Sequence, residues 1–517
     1  MHSAVTHKGN VAACQVHAIG RLKISGRLQS GLKILLRGLA KPWLGSVVRG
    51  SMAMVAPLMA DVSPNQTQTL SPILPGNALP FQVTIELADF ALPDGLQTYA
   101  WALCGNQWLL VSGRTNGLHG FDNTNDNFPP RQQNTRVYVV DPSTGITKSK
   151  SLFDPTAGLT QRQIDTISAT AVEYHQTGHT LYLVGGYGVD TATGQFTTKD
   201  TLTAIDVPGL MEWVLDDRDA LSACQFIRQT SHPFLRVTGG ALVQAGPHHP
   251  YLLVFGQDFE GFYSDSSNGI YTEQVRPFWI VDNGRDLFVQ PIPVRGRAAD
   301  YRRRDLNVAP IINQRNRSLE VGYVALSGVF TLNSGIWTVP VFIDADGHPC
   351  EPDPTSPGTF KQGMNNYASS IISLFSKRLG KNYIVLPGGL TYLYEQNGQF
   401  LSDTEVPFTN EVTTLAIDGC GHIQQYLMEA TYPVILSEFV HPGNTLLFGA
   451  GSHFIPVSGV LAYSAPIVDF DALPAGSTLL GYIVGGIQST LPDTVTNADS
   501  AASPYVFKVT LTKSKKC

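Results

Sequence analysis

The sequence predicts an all-β fold in which one four-stranded sheet is repeated along the chain. Charged residues make up only 15% of the 517 residues, whereas glycine (49) and proline (33) are plentiful. This composition is typical of a large β protein with many turns. Short apolar runs that end in small residues also recur through most of the chain. These runs are Trp108–Gly113, Leu181–Gly186, Leu252–Gly256, Val324–Gly328, Tyr383–Gly389 and Gly481–Gly486.

The spacing of the runs indicates the size of the repeated unit. The glycines that close the first five runs are 73, 70, 72 and 61 residues apart. Such a period fits one four-stranded antiparallel blade of a β-propeller per unit. In each unit a polar first strand precedes the apolar run, and a more polar fourth strand closes the unit. The third strands end near an aspartate, and they are Val137–Asp141, Leu202–Asp206, Phe278–Asp282, Val341–Asp344 and Leu415–Asp418.

The order of these features resembles that of kelch-type β-propellers. The kelch pattern is an apolar run, a glycine pair, a strand with Tyr and Asp, and a Trp, and Leu181–Gly186 with Trp213 matches it best. The resemblance covers roughly residues 80–512, although a single glycine replaces the pair in the third and fourth units. Segments such as Tyr301–Val308 are also similar to secreted bacterial kelch-like proteins without an assigned activity. These resemblances imply a fold and export, and they imply no chemistry because kelch propellers host many functions.

We predict six blades, with seven as the alternative. The blade count depends on Leu446–Gly451. The chain has six blades if this segment is a first strand and seven if it is a second strand. Ser452 and His453, which follow it, resemble the residues of the other first strands and favour six. We expect Phe81–Leu87 to pair with Tyr505–Leu511, so that the N- and C-terminal strands close one blade and leave no free edge.

The first 60 residues predict a targeting segment that is separate from the fold. They contain eight Lys or Arg and no Asp or Glu, and they end in a moderately apolar stretch with small residues. This pattern is typical of a signal peptide, so we predict a secreted or periplasmic protein, with an organelle transit peptide as the alternative. Residues 61–78 then form a linker, and residues 79–517 form a single β-propeller domain.

Charge, hydropathy and cysteine spacing argue against several kinds of partner. Outside the first 60 residues, 27 basic and 41 acidic residues give a balance of −14, which disfavours binding to nucleic acid. No run approaches the ~20 apolar residues of a membrane span. Cys104, Cys224, Cys350 and Cys420 lie far apart without a C-x-x-C pair, which argues against a zinc site. We expect one or two disulfides or buried free thiols, no metal and no cofactor.

The loops after the apolar runs and the segments before the first strands carry the candidate ligand residues. Polar loop residues on a rigid scaffold are frequent points of contact with ligands, and guanidinium groups bind carboxylates, including those of anionic sugars. The predicted ligand-binding residues are Arg114, Asn116, His119, Arg276, Arg303, Arg304, Asp305, Tyr367 and His453. Structural pairing is the competing interpretation of Arg303, Arg304 and Asp305, because a buried charge needs a partner.

Binding of a glycan or protein partner through the loop face is the function we predict, and the sequence favours binding over catalysis without deciding between them. The first alternative is a carbohydrate-active enzyme of the mutarotase or lyase type, in which channel Arg, His and Tyr side chains act as acid and base. The second is a copper-radical oxidase, which would need a Tyr joined to a Cys, two His and a second Tyr; the sequence shows no such set. It also shows no phosphate-binding loop and no nucleophile elbow.

Overall fold

The computed structural model describes residues 70–514, except 121–123, 125, 265–268, 295, 316–317, 333–334, 439, 495 and 497. The predicted targeting segment, residues 1–60, lies outside the described residues, as does the first part of the predicted linker. The last part of that linker contains a strand, Ile73–Pro75, which pairs with one of the sheets. No helix in the described residues has the length and apolar character needed to cross a membrane.

The described chain forms an all-β propeller of antiparallel sheets, which we number one to six in chain order. The first strands contact each other between the first and second, the second and third, and the fourth and fifth sheets. In a β-propeller the first strand of each blade is the strand next to the central channel. Five sheets have four strands each. They are the first sheet (Ala100–Cys104, Gln107–Val111, Arg136–Asp141, Ile146–Ser151), the second (Glu173–Thr177, Thr180–Val184, Thr201–Asp206, Ile227–Ser231), the third (Ala241–Gln244, Tyr251–Val254, Val275–Asp282, Leu287–Pro291), the fourth (Asn307–Arg315, Ser318–Leu326, Val341–Ile343, Pro349–Cys350) and the sixth (His453–Pro456, Ser477–Val484, Val506–Lys513, Phe81–Leu87).

The fifth sheet has six strands, so the sheets do not show the predicted six or seven four-stranded blades. Two short strands, Ile467–Asp469 and Ile73–Pro75, pair in parallel with its inner and outer edges. Strands of only three residues carry no recognisable alternation of apolar and polar positions, which is why the sequence does not reveal them. The four central strands are Ile372–Ser376, Lys381–Pro387, Glu411–Asp418 and Ile423–Thr431.

The sixth sheet joins the two ends of the described chain, as predicted. Phe81–Leu87 pairs antiparallel with Val506–Lys513, from Phe81 opposite Lys513 to Leu87 opposite Phe507. The expected strand Leu446–Gly451 is not formed, because Gly449 and Gly451 have φ angles of 107° and 67° that interrupt an extended backbone. The chain instead enters the sixth sheet at His453.

Apolar side chains pack between neighbouring sheets rather than in one central core. Leu109 and Val111 of the first sheet pack in one cluster with Leu181 and Leu183 of the second sheet. Each of these four side chains is at most 3% exposed. The second strands are thus covered on both faces, which explains their continuous apolar runs.

Each of the six apolar runs ends in two consecutive residues with positive φ angles. At three ends the first residue of the pair is not glycine, since Ser112, Phe255 and Ser327 have φ angles of 67°, 56° and 39°. Such angles are unfavourable for residues with a side chain, so the surrounding structure must hold them. At five ends the amide of the second residue donates to a carbonyl just before the next sheet. The donor and acceptor pairs are Gly113–Ala169, Gly186–Val237, Gly256–Arg303, Gly389–Phe448 and Gly486–Leu96, at 2.8–3.0 Å.

A long segment of the sixth sheet crosses one end of the channel. Residues 457–476 join the first and second strands of this sheet, so they lie opposite to the loops that follow the second strands. Ser464 Oγ donates to the carbonyl of Ala245 in the third sheet at 2.7 Å. Ile467–Asp469 pairs with the first strand of the fifth sheet. We call this end the far face, and the end with the loops after the second strands the loop face.

In the part of the chain that the structure describes, two α-helices lie outside the sheets. One of them is Gln161–Ile167, whose first turn is capped by Thr160. Val207–Leu215 was not predicted; it begins at Asp206, whose side chain accepts a hydrogen bond from the amide of Gly209. The other short elements are the 3₁₀ helices Gly76–Ala78, Pro130–Gln132, Ala223–Phe226, Pro233–Leu235 and Ala299–Tyr301, and the strand pairs Tyr187–Asp190 with Gln195–Thr198, Gln257–Asp258 with Ile270–Tyr271, Leu393–Gln396 with Gln399–Ser402, and Ile487–Ser489 with Ser500–Ala502.

Gly389→Ala and Gly380→Ala provide a matched test of the close packing at the turn after the second strand of the fifth sheet. Both glycines flank the strand Lys381–Pro387 and have positive φ angles, 89° and 62°. A Cβ at Gly389 would lie 2.7 Å from the carbonyl oxygen of Tyr367, whereas one at Gly380 would meet nothing within 4 Å. We expect Gly389→Ala to lower the free energy of unfolding by about 2 kcal/mol more than Gly380→Ala in denaturant unfolding. Equal losses for the two variants would contradict the close packing of this turn against Tyr367.

Candidate ligand-binding site

Loops from two different sheets meet at the loop face. Residues 112–135 follow the second strand of the first sheet, and residues 255–274 follow the second strand of the third sheet. Asn127 Nδ2 donates to the carbonyl of Tyr263 at 2.7 Å. The ring of His119 lies 4.5 Å from the ring of Tyr263, edge to face. These contacts bring predicted residues of the first sheet next to the third sheet.

Arg304, just before the fourth sheet, lies at the centre of this cluster and is 4% exposed. Its Nη1 donates to Gln257 Oε1 and to the Tyr271 hydroxyl, both at 2.9 Å, and its Nη2 donates to the Tyr263 hydroxyl at 2.7 Å. Its Nε donates to Asp305 Oδ2 at 3.3 Å. Burial lowers the pKa of Arg304, but Tyr263 and Asp305 more than offset this and raise the pKa above its ordinary value. Arg304 is therefore charged and held in place by four hydrogen bonds.

Arg114 is buried beside this cluster without a carboxylate partner among the described residues. It is 3% exposed, its Nε donates to Asn116 Oδ1 at 2.9 Å, and its Nη2 donates to the carbonyl of Asn127 at 3.2 Å. The ring of Phe128 lies 4.2 Å from the guanidinium carbon. Because these partners are neutral, they do not offset burial, which lowers the pKa of Arg114 to about 9. Buried charges are usually paired with an opposite charge. Arg114 has no such partner among the described residues.

His119 and Asn116 add uncharged groups to the cluster. The ring of His119 stacks on Phe128 with centroids 5.0 Å apart. Burial, together with the positive charges of Arg114 and Arg304, lowers the pKa of His119 to about 3. His119 is therefore neutral and presents an aromatic surface. Asn116 Nδ2 is buried without a hydrogen-bond partner in the described part of the chain, so one donor beside Arg114 is unused.

Asp305 and Tyr367 keep contact with solvent at this site. The Asp305 side chain is 42% exposed, and Tyr367 is partly exposed. The surrounding protein displaces much of the bulk water, and this burial raises the pKa of Asp305 although Arg304 opposes the rise. Burial also raises the pKa of Tyr367, and the neighbouring Asp305 and Tyr263 contribute to the rise. Both groups are available to a ligand that enters from the loop face.

Arg303 does not belong to the cluster, although it directly precedes Arg304. It is 0% exposed, its Nη2 donates to Glu351 Oε1 at 2.5 Å, and its Nη1 donates to the carbonyl of Val339 at 2.8 Å. The guanidinium also lies over the ring of Trp337 at 4.7 Å. Neighbouring side chains of an extended segment point in opposite directions, so Arg303 points away from Arg304. The geometry favours the structural interpretation of Arg303.

Arg276 lies in the interface between the second and third sheets, apart from the cluster. Its Nη1 donates to the carbonyl of Phe234 at 2.7 Å, and its Nε and Nη2 are buried without a hydrogen-bond partner among the described residues. The same interface contains Glu173, which the sequence analysis did not single out. Glu173 is 2% exposed, and its Oε1 accepts a hydrogen bond from the amide of Gly240 at 2.8 Å. Burial raises the pKa of Glu173 to about 8.

His453 is the ninth predicted residue and lies at the start of the innermost strand of the sixth sheet. Its Nδ1 is 3.1 Å from the hydroxyl of Tyr174, and its ring meets Tyr99 edge to face at 4.8 Å. The rings of Trp101 and Tyr174 are 6.4 Å apart. Burial lowers the pKa of His453 to about 4, so the imidazole is neutral. These residues come from the first, second and sixth sheets and form a second group of polar and aromatic side chains.

Six of the nine predicted residues thus come together, whereas Arg276, Arg303 and His453 lie elsewhere. The sequence analysis missed the aromatic residues that complete the cluster. Phe128 and Tyr263 lie in the loops that the analysis identified, so aromatic residues in loops next to arginines were the available signal. The six residues that meet are Arg114, Asn116, His119, Arg304, Asp305 and Tyr367.

Comparison with known proteins adds little to this description. No protein-family model matches the chain, and no curated protein matches it. One similar solved structure is named "Structure of YjhT"; it is 10% identical in sequence, and the match covers 82% of this chain and 98% of that chain with a TM-score of 0.39. A likeness at this TM-score carries no argument about function. The kelch type and the similarity to secreted bacterial proteins therefore stay predictions.

Glu173→Gln tests the buried carboxyl through the pH dependence of stability. The folded protein holds the Glu173 proton up to about pH 8, whereas the ordinary pKa is 4.5. The stabilisation by the protonated form is therefore complete below the ordinary pKa and is lost as the pH rises towards the folded-state pKa. Glutamine still accepts from Gly240 and cannot ionise. We expect the variant to lose about 2 to 4 kcal/mol less stability than the wild type between about pH 5 and about pH 8. Parallel profiles from chemical unfolding would show that Glu173 ionises normally.

Proposed function

We propose that this protein binds an acidic glycan through the cluster at its loop face. The observation that carries the proposal is Arg114, a guanidinium that is 3% exposed and has no carboxylate partner among the described residues. A carboxylate of the glycan would supply the missing charge, and bonds between guanidinium and carboxylate groups are strong and directional. The unused Nδ2 of Asn116 would donate to a second oxygen of the ligand.

The aromatic rings of the cluster support a sugar as the ligand. His119, Phe128 and Tyr263 contact one another, and they provide apolar surfaces next to the charged groups. Sites for small molecules usually combine such walls with a few well-placed polar groups. Arg304 fixes the hydroxyl of Tyr263 and that of Tyr271. A sugar ring, which has apolar faces and polar edges, matches this combination.

The residues at the two ends of the channel favour entry of the ligand from the loop face. At the far face, residues 457–476 cross from the sixth sheet to the third and fifth sheets. At the loop face, Asp305 and Tyr367 keep contact with solvent. A ligand that arrives from the loop face would meet these two groups next to Arg304.

A carbohydrate-active enzyme is the second candidate function, and His453 is the observation that favours it. A neutral imidazole beside the Tyr174 hydroxyl, at 3.1 Å, can exchange a proton with a sugar hydroxyl. Turnover of a sugar by the wild type that is lost in Tyr174→Phe would favour the enzyme over simple binding. The copper-radical oxidase gains no such observation: it requires a Tyr joined to a Cys, two His and a second Tyr, and the sequence shows no such set.

We also propose that the fifth sheet acts as a blade, which gives six blades in total. The paired positive φ angles follow the second strand of all six sheets, and this shared turn supports the count.

Export stays a prediction, because residues 1–60 lie outside the described residues. Cys224, Cys350 and Cys420 are exposed, so none of these three is one of the buried thiols expected from the sequence.

Arg114→Gln and Arg303→Gln provide a matched test of the proposed function. Both arginines are buried against an aromatic ring, but only Arg303 has a carboxylate partner. We expect an array of acidic and neutral glycans to identify acidic ligands that raise the melting temperature of the wild type. Arg114→Gln should weaken their binding about 10-fold or more, because a charge-assisted hydrogen bond is lost.

Arg303→Gln should keep the affinity for the ligand but destabilise the fold by roughly 3–5 kcal/mol, because it leaves Glu351 buried without its partner. The proposal fails if no glycan raises the melting temperature. It also fails if neutral glycans bind as well as acidic ones, or if Arg114→Gln binds as tightly as the wild type.

A further inference from the structure

A hairpin at the far face places three different metal-binding groups close together. It joins the third and fourth strands of the fifth sheet and contains Asp418, Cys420 and His422. A carboxylate oxygen, the thiol sulfur and an imidazole nitrogen lie within 4.8 Å of one another. Two glycines, Gly419 and Gly421, separate these residues, so that alternate positions of a tight turn carry the three side chains. This is the one such group of three in the described part of the chain.

Hydrogen bonds of the turn already hold two of the three groups in place. Asp418 Oδ1 accepts hydrogen bonds from the amides of Cys420 and His422 at 2.9 and 3.0 Å. Asp418 Oδ2 lies 3.1 Å from His422 Nδ1, a separation close to that between two ligands of one metal ion. Donors of a tetrahedral zinc site lie roughly 3.3–3.8 Å apart, so the thiol needs to move by only about 1 Å.

A sister hairpin in the fourth sheet shows which part of this arrangement the turn itself requires. There Asp344 Oδ1 accepts from the amides of Asp346 and His348 at 3.0 and 2.9 Å, and Asp344 Oδ2 lies 3.0 Å from His348 Nδ1. The turn therefore forms with Asp346 in the position of Cys420. The cysteine is not needed to build the hairpin, and its exposed thiol is free to act as a ligand.

We infer that Asp418, Cys420 and His422 bind a divalent metal ion of the zinc class. A set of one sulfur, one nitrogen and one oxygen ligand suits Zn²⁺ and Co²⁺ rather than Mg²⁺ or Ca²⁺, which prefer oxygen alone. Three protein ligands leave one position open for water or another small ligand. The set was not predicted, because the chain carries no C-x-x-C pair, which is the usual spacing signal of a zinc site.

The surroundings leave room for that fourth ligand. A cavity of about 260 Å³ is bordered by Asp418, His422, Lys381, Ala416 and Gln424. Lys381 lies directly opposite Asp418 in the neighbouring strand. Its positive charge would favour an anionic fourth ligand, such as hydroxide or a carboxylate, over a neutral one. The site lies at the far face and is independent of the glycan proposed for the loop face.

Cobalt titration of the reduced, full-length protein tests the inference. We expect Co²⁺ to bind with the near-ultraviolet absorption of a thiolate–cobalt bond, at one ion per chain, and Zn²⁺ to displace it. Cys420→Ser should abolish the thiolate band, and His422→Gln should weaken Zn²⁺ competition by about 10-fold or more. Cys350→Ser removes another exposed thiol and should change neither property. These side chains are exposed, so the variants are expected to fold.

Asp346→Cys turns the sister hairpin into a second copy of the same ligand set. It should bind a second cobalt ion with the same thiolate band, because the hairpin geometry is already present. The inference is overturned if the wild type shows no thiolate band or if Cys420→Ser retains it. A single bound ion in Asp346→Cys would contradict the claim that these three positions of the hairpin suffice.

Discussion

The left-handed turn after each second strand is the constraint on which the rest of the structure depends. At five of these turns a backbone amide donates to the chain that enters the next sheet, so neighbouring sheets are joined through main-chain atoms. A Cβ at Gly389 or Gly486 would lie 2.7 or 2.8 Å from a carbonyl oxygen, so these positions accept only glycine. Because the link uses the backbone, the side chains can differ between units while the geometry is kept. Ser112 and Phe255 illustrate this, since both adopt the turn without being glycine and the glycine that follows each of them still makes the link.

The same turns position the candidate site. Arg114 directly follows Gly113, and the amide of Arg304 donates to the carbonyl of Val329, which follows Gly328, at 2.7 Å. The rigid backbone at these points holds the guanidinium groups of Arg114 and Arg304 in buried positions, which are unfavourable for a charged group. Arg304 is compensated by Asp305 and by tyrosine hydroxyls, whereas Arg114 is not. A buried charge that has no counter-charge and is held by rigid backbone is expected at a position where a bound ligand supplies the opposite charge.

The sequence predicted those strands and strand pairings that a single physical rule determines. Apolar runs that end in glycine predicted the second strands, and pairing of the chain ends followed from the need to remove a free edge. Arg303 and Arg304 show the limit, because residue type alone cannot tell which of two adjacent arginines faces the channel. The pairing of Arg303 with Glu351 links residues 48 positions apart, and no local pattern reveals such a contact. The helix Val207–Leu215 and the short strands Ile73–Pro75 and Ile467–Asp469 were missed because they depend on tertiary packing rather than on periodicity.

Amide hydrogen exchange at single residues tests most directly whether these turns join the sheets. The account predicts that the amides of Gly113, Gly186, Gly256 and Gly389 exchange as slowly as those of the strands beside them, because each donates to the neighbouring sheet. Fast exchange at these glycines, together with slow exchange within the strands, would contradict the account.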